Sequence, residues 1–365
     1  MTGSVLALAF TTALVALTAL TAACGPKPSA APPAPPPVPL HLDSACELAP
    51  SAAIEWVVDA RPRALAEIPD LIPAIALVVP EARFATFAAT HGGIDVRQIT
   101  DLCVAKYKDS LLTVARAPLD PARVEKAFAE RMTHPGGRSV DVVNPPVVRV
   151  WGEVNGEAQE VVVFARELVA FEQGKAGPVR ASEAFALGKL RRASPVLRSS
   201  SLARAVQLVG EAPVRAFAPG PFEGQTAQGL GGLMRASTAV AASARFAGAP
   251  ANVAVRIVLT GAWGKDAPAA AERLAAAVHV VSESAFGRLL GLDHPVVSPQ
   301  VRGTDDALVV DVTVDGAALA RGVHDALDAE IGDIMRGGAT PRRLPEGTDA
   351  RDVPNVPAAP DAGKP

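Results

Sequence analysis

The sequence predicts an α+β fold, mostly antiparallel sheet with packed helices, and three patterns predict it. Residues 147–154 and 159–164 alternate in polarity around Asn155-Gly156. That dipeptide turns a hairpin because both residues accept positive φ. A second pair of alternating runs, 238–247 and 252–261, flanks Gly248-Ala249-Pro250. Between and after these runs the apolar period lengthens to that of a helix, at 64–90, 121–132, 267–290 and 315–334. Strands joined by short turns pair antiparallel, and amphipathic helices then cover the sheet.

Taken in order, 53–60 reads as a strand with Trp56 and Val58 on one face. Residues 64–90 read as helix broken at Pro69, Pro73 and Pro80, since proline lacks the donor that continues a helix. His91-Gly92-Gly93 stops it. Asp95 caps a short helix over 96–102, and 104–117 is a hairpin about Tyr107-Lys108-Asp109-Ser110. Asp120-Pro121 opens a helix, with a capping carboxylate and a proline where no donor is lost. Its apolar face is Val124, Phe128 and Met132. His134-Pro135-Gly136-Gly137 reads as a turn, and 139–174 as a β-meander ending in a strand over 168–172. Two helices over 181–209 divide at Ser194-Pro195; a strand over 214–218 and a glycine-rich loop over 219–232 follow. After the second hairpin come the Ala-rich helix 267–290, strands 296–301 and 307–314, and a last helix over 315–334.

The two halves echo each other. Gly93-Ile94-Asp95 and Gly291-Leu292-Asp293 each follow a long helix, and each precedes a strand and an Asp-capped helix. From Asp120 and from Asp315 the apolar residues fall at the same offsets: Val124, Phe128, Met132 and Leu319, Val323, Leu327. This suggests two related β-α-β-β-α units, the sheet of one continuing into the other. The chain then divides into a leader (1–23), a tether (24–40), an α+β unit with a β-meander and basic helices (41–218), a second α+β unit (219–336) and a disordered tail (337–365).

Residues 5–23 carry no charge and are rich in Ala, Leu, Thr and Val. Small residues and then Cys24 follow, in the run Thr21-Ala22-Ala23-Cys24. This stretch resembles the lipobox of bacterial lipoproteins, although Thr21 stands where that family prefers Leu and the first four residues lack Lys and Arg. The resemblance implies that the leader is removed and that Cys24, lipidated through its thiol, becomes the first residue. It also implies a place in the cell envelope. Gly25 in the next position favours the outer membrane, with the body facing the periplasm or the exterior. An uncleaved transmembrane helix is the other reading of the same run. Eight prolines then fall between Pro26 and Pro39. Such a run forms polyproline II, a semi-rigid spacer reaching up to about 50 Å at roughly 3.1 Å per residue.

Net charge is −3 and aromatics make up 4% of the 365 residues. There is no global pull toward nucleic acid and few faces on which bases or sugars could stack. Beyond Cys24 only Cys46 and Cys103 remain, and two cysteines in an exported chain predict a disulfide, with two free buried thiols as the alternative. The closed loop of 57 residues would contribute on the order of 4 kcal/mol.

Catalytic motifs are absent, with no Gly-x-Ser-x-Gly, Ser-x-x-Lys, His-Glu-x-x-His or Walker pattern. No cofactor or metal is expected: the six His are scattered, His91, His134 and His294 in turns and His279 packed on the Ala-rich helix, and Asp305, Asp306, Asp311 and Asp315 read as a solvated strand face. Residues 173–220 hold eight basic side chains against two acidic, and 301–335 the reverse. Lys189, Arg191, Arg192, Arg198 and Arg204 are thus a candidate patch for an anionic lipid or acidic partner, with the acidic segment steering or self-docking; the alternative is that each run is a solvated face. The expected function is that of a membrane-anchored, non-catalytic binding or structural module. A carrier of lipid or a small hydrophobe is the first alternative, expected to show a large closed apolar pocket between sheet and helices. An envelope hydrolase, expected to show a cleft of converging polar residues with shifted pKa values, is the second.

Overall fold

The computed structural model describes residues 44–325, apart from 142–145, 191–193, 247–250, 285–286 and 289. The leader, Cys24, the tether and the tail lie outside these residues.

Among the described residues the strand-forming runs pair into one antiparallel sheet of twelve strands, some joined by tight turns and others by helical connections. They are β1 (Ile54–Ala60), β2 (Asp101–Tyr107), β3 (Ser110–Arg116), β4 (His134–Asp141), β5 (Val147–Val154), β6 (Glu157–Phe164), β7 (Leu168–Gly174), β8 (Val214–Pro219), β9 (Ser237–Phe246), β10 (Asn252–Gly261), β11 (Val297–Thr304) and β12 (Ala307–Asp315). The order across the sheet is β11-β12-β10-β9-β8-β1-β2-β3-β7-β6-β5-β4. The Asn155-Gly156 turn forms as expected, with φ of 53° and 81°. The boundary expected at 218/219 falls inside β8, which pairs with β1, so one sheet runs through both halves.

The helices are α1 (Pro62–Ala66), α2 (Ile72–Val78), α3 (Glu81–Thr90), α4 (Pro121–Arg131), α5 (Pro178–Ala186), α6 (Ala203–Val209), α7 (Ala267–Glu283) and α8 (316–325). Asp120 caps α4 by accepting from the Ala122 N–H at 3.0 Å, and Asp315 caps α8 through the Ala318 N–H at 2.7 Å. No single helix among the described residues is long and apolar enough to cross a membrane; only the bent pair Pro69–Val78 and Glu81–Thr90, at 74°, passes by length and composition. Within that pair Ile72 and Leu77 are exposed.

Cross-strand alternation divides the core by face. One face carries Val57, Ala105, Leu112, Phe217, Ala241 and Val258, covered by α5, α6 and the turn Ala45–Leu48. The opposite face carries two clusters. One packs Val161, Val163 and Val169 under Val124 and Phe128 of α4; the other packs Leu259, Leu308 and Val310 under Ala270 and Leu274 of α7.

Several elements differ from expectation. The helix expected over 96–102 is a single 3-10 turn, Val96–Gln98, capped by Asp95. Leu102, expected at the end of that helix, and Cys103 after it both sit within β2, whose residues pair with both β1 and β3; two ladders of backbone hydrogen bonds outweigh local helix propensity. His134–Gly137 is not a turn but the start of edge strand β4. An edge strand tolerates Pro135, and Gly136 and Gly137 leave room for the Trp151 indole, which a Cβ at either would approach to 2.6 Å. Pro73 opens α2 rather than breaking a helix, because the first turn needs no proline donor. The helix expected to reach Leu290 ends at Glu283. His279 is not packed but exposed on α7, 3.3 Å from Glu283.

The echo between the halves also takes another form. Matching the long first helical segment to α7 equates β1, β2 and β3 with β10, β11 and β12. Yet β1 neighbours β2, whereas β10 neighbours β12. Counted outward from the central β1–β8 pair, the order is β1-β2-β3-β7-β6 on one side and β8-β9-β10-β12-β11 on the other.

Candidate functional site

A cavity of about 330 Å³ lies between the sheet and the helices α3 and α4. Its floor alternates up from the strands: Leu102 and Val104 of β2, Thr113 and Ala115 of β3, Val161 of β6, Val169 and Phe171 of β7. Its walls are Phe87 and His91 from the end of α3, Ile94, Val96 and Ile99 from the connection, and Val124, Phe128 and Arg131 from α4. Spacings of four and three residues put each set on one helix face. Phe128 meets Phe171 edge-on, with centroids 5.9 Å apart. The two walls are held together at Gly92: its φ is 70°, and a Cβ there would stand 2.5 Å from Val124 Cα. Only glycine suits both that conformation and that approach.

The lining is apolar except for Thr113, His91 and Arg131. The His91 ring stacks on Phe87, centroids 4.0 Å apart and 9° from parallel. Its Nε2 lies 3.1 Å from Arg131 Nη1, and its Nδ1 lies 3.0 Å from the Phe87 carbonyl. A guanidinium only donates, so Nε2 accepts and Nδ1 carries the proton that the carbonyl takes. That is the neutral imidazole. Burial, then the charge of Arg131, lowers the His91 pKa from 6.5, which favours the same form. Arg131 also lies over the Phe128 ring, its Cζ 5.6 Å from the centroid. Its Nε is buried without a hydrogen-bond partner, and burial lowers its pKa.

A second polar group lies on the opposite face, where Glu172 and Glu160 are cross-strand partners. Glu172 is 2% exposed. It accepts from the N–H groups of Gly177 at 2.8 Å and Val179 at 3.2 Å and from the Ser110 hydroxyl at 2.7 Å. It therefore closes the start of α5, where unpaired N–H groups and the helix dipole favour a carboxylate. Glu160 lies 3.3 Å from Arg149 and 3.4 Å from Arg180, and burial raises its pKa against both arginines. Arg149 also reaches Glu183 at 3.2 Å. Glu160, Glu172 and Arg180 border a cleft of about 380 Å³ with Trp151.

The disulfide forms as expected between Cys46 and Cys103, Cα atoms 5.0 Å apart, and ties the turn Ala45–Leu48 to β2. The basic patch is not one surface of unpaired cations. Lys189 reaches Asp141 at 3.3 Å, Arg198 pairs with Glu47, and Arg204 reaches Asp306 at 2.6 Å. Arg191 and Arg192 lie outside the described residues. The last of those pairs does join a basic residue to the acidic segment. Asp311 is held by Arg256 at 2.7 Å and also by Arg302, rather than lying on a solvated face. Among the described residues no group of three or more His, Cys, Asp or Glu could hold a metal ion.

Sequence reasoning placed His91 in a turn and gave Arg131 no role. The available signal was the Phe87–His91 spacing of four, which predicts stacking on one helix face; only folding shows that Arg131 meets it. No family model matches this chain, and neither does any curated protein or solved structure.

Proposed function

We propose that the chain is a lipid-anchored, non-catalytic binding module of the cell envelope, held at the outer membrane through Cys24, and that it carries a small hydrophobic ligand. The observation that carries this reading is the 330 Å³ apolar cavity between sheet and helices. It falls within the size range of small-molecule sites, and two of its three polar groups, His91 and Arg131, sit together. The Glu160–Glu172 cleft offers a hydrolase its best geometry. However, Glu172 is consumed by capping α5 and Glu160 is held between two arginines, which favours a structural role for both.

The binding reading is tested by calorimetric titration of the full-length chain with neutral alkanols from hexanol to decanol. Saturable 1:1 binding is expected, and its absence across the series overturns the reading. The anchor is tested separately: Cys24→Ser should release the protein from membranes, whereas an uncleaved transmembrane leader would leave it bound.

We further propose that the body arose by internal duplication, in a register other than the one the sequence suggests. The unit β1-β2-β3-α4-β6-β7-α5 corresponds to β8-β9-β10-α7-β11-β12-α8, with β4 and β5 added at one edge. The matching strand orders on either side of the β1–β8 pair support this. Superposition of the five matched strands should bring α4 onto α7, and a fit placing them on opposite faces overturns it.

A further inference from the structure

We infer that the cavity takes a single-chain monoanion, with its hydrocarbon among Phe87, Val124, Phe128 and Phe171 and its carboxylate on the guanidinium of Arg131. The inference rests on the binding reading above and adds the headgroup.

Arg131 is a permanent cation lining a cavity that is otherwise almost wholly apolar. Arg131 is half-buried, and a charge drawn partly out of water costs free energy unless it is paired. Among the described residues no carboxylate pairs with Arg131, whereas the arginines at 97, 138, 149, 204, 215 and 256 each have one. Its nearest polar partner is His91, a neutral ring that accepts one N–H. Its Nε–H stays buried with no acceptor. A guanidinium has five donors in a planar fork that matches a carboxylate through two parallel hydrogen bonds. The stacked Phe87–His91 pair and the Phe128 ring hold that fork on two sides. What the site lacks is one anionic acceptor, and what the adjoining space accommodates is a short hydrocarbon chain.

The test compares two ligands matched in chain length, octanoate and 1-octanol, by isothermal titration into the full-length chain. Octanoate should bind at least about tenfold more tightly, as a charged hydrogen bond in a desolvated site implies. In Arg131→Met that advantage should vanish, leaving octanoate no tighter than 1-octanol in the same variant, since methionine keeps an apolar stem but no donor. Equal affinity of the two ligands for the unsubstituted protein overturns the headgroup assignment and leaves the binding reading standing. If neither ligand binds, the binding reading falls and this inference falls with it. The comparison in the unsubstituted protein needs no variant to fold.

Discussion

The two helix-covered clusters on one face of the sheet follow the same chain order and end differently. Under α7 the contact is close. Ala270 and Leu274 are fully buried, Trp263 closes the end, and a Cβ at Gly303 of β11 would stand 2.7 Å from the Ala267 carbonyl. Small side chains on helix and strand let the two backbones approach until little space remains. Under α4 the helix face presents Val124, Phe128 and Arg131, and α3 leans in beside it with Phe87 and His91. Bulky side chains hold the helices off the strands, and a cavity of about 330 Å³ results. One half spends its apolar surface on packing. The other keeps part of it open and places a cation there.

Substitutions test that contrast, and the largest effect concerns a staple that only the first half has. Replacing both Cys46 and Cys103 by Ser should destabilise the body by about 2–5 kcal/mol, seen as a lower midpoint in urea without reductant. Under α7, Leu274→Ala should cost about 2–5 kcal/mol, because the residue is fully buried and its neighbours cannot close the gap. A loss below about 1 kcal/mol would mean that α7 is as loosely seated as α4.

Ala115→Leu should act in the opposite sense, since it fills existing space in the cavity floor. It should leave stability unchanged or raise it by about 1 kcal/mol while weakening 1-octanol binding more than about tenfold. Destabilisation by more than about 2 kcal/mol, measured by denaturation, would show that the cavity is already full.

The smallest effect is on pH dependence. Burial and Arg131 depress the His91 pKa in the folded state below its unfolded value of 6.5. The unfolded chain therefore binds the proton first as pH falls. The stability contribution is fully present above about pH 6.5 and is lost as pH drops below it toward the folded pKa. His91→Asn should flatten this part of the pH–stability curve between about pH 7.5 and 5, relative to the unsubstituted protein. Identical slopes in the two proteins would place His91 in solvent rather than in the cavity wall.

Much of the fold was legible because it is written in short-range patterns. Asn155-Gly156 turns where expected, and Asp120-Pro121 opens α4 where expected. The misreadings have specific causes. Asp95 did cap a turn, but β1 and β3 claimed the residues after it, since backbone pairing on both sides of β2 outweighs local preference. Pro135-Gly136-Gly137 carries the composition of a turn and became a strand because Trp151 packs over the glycines at an edge. Of the candidate site residues, Cys46 and Cys103 could be paired by elimination within an exported chain. The patch residues Lys189, Arg198 and Arg204 are near in sequence, and folding gave each a carboxylate on a different element, which no local pattern announces.

The α+β class, the hairpins and caps, the expected cysteine pairing and the expectation of an anchored, tethered body were legible in the chain's residues. All of these depend on residues close together in the chain or on counts of rare ones. Folding alone shows that β8 meets β1 at the centre of a sheet running through both halves, and that Phe87, His91 and Arg131 share a cavity. Those outcomes depend on which segments lie side by side after folding. His91 and Arg131 are 40 residues apart in the chain. Their 3.1 Å contact exists because the Gly92 backbone packs against Val124 and sets α3 beside α4.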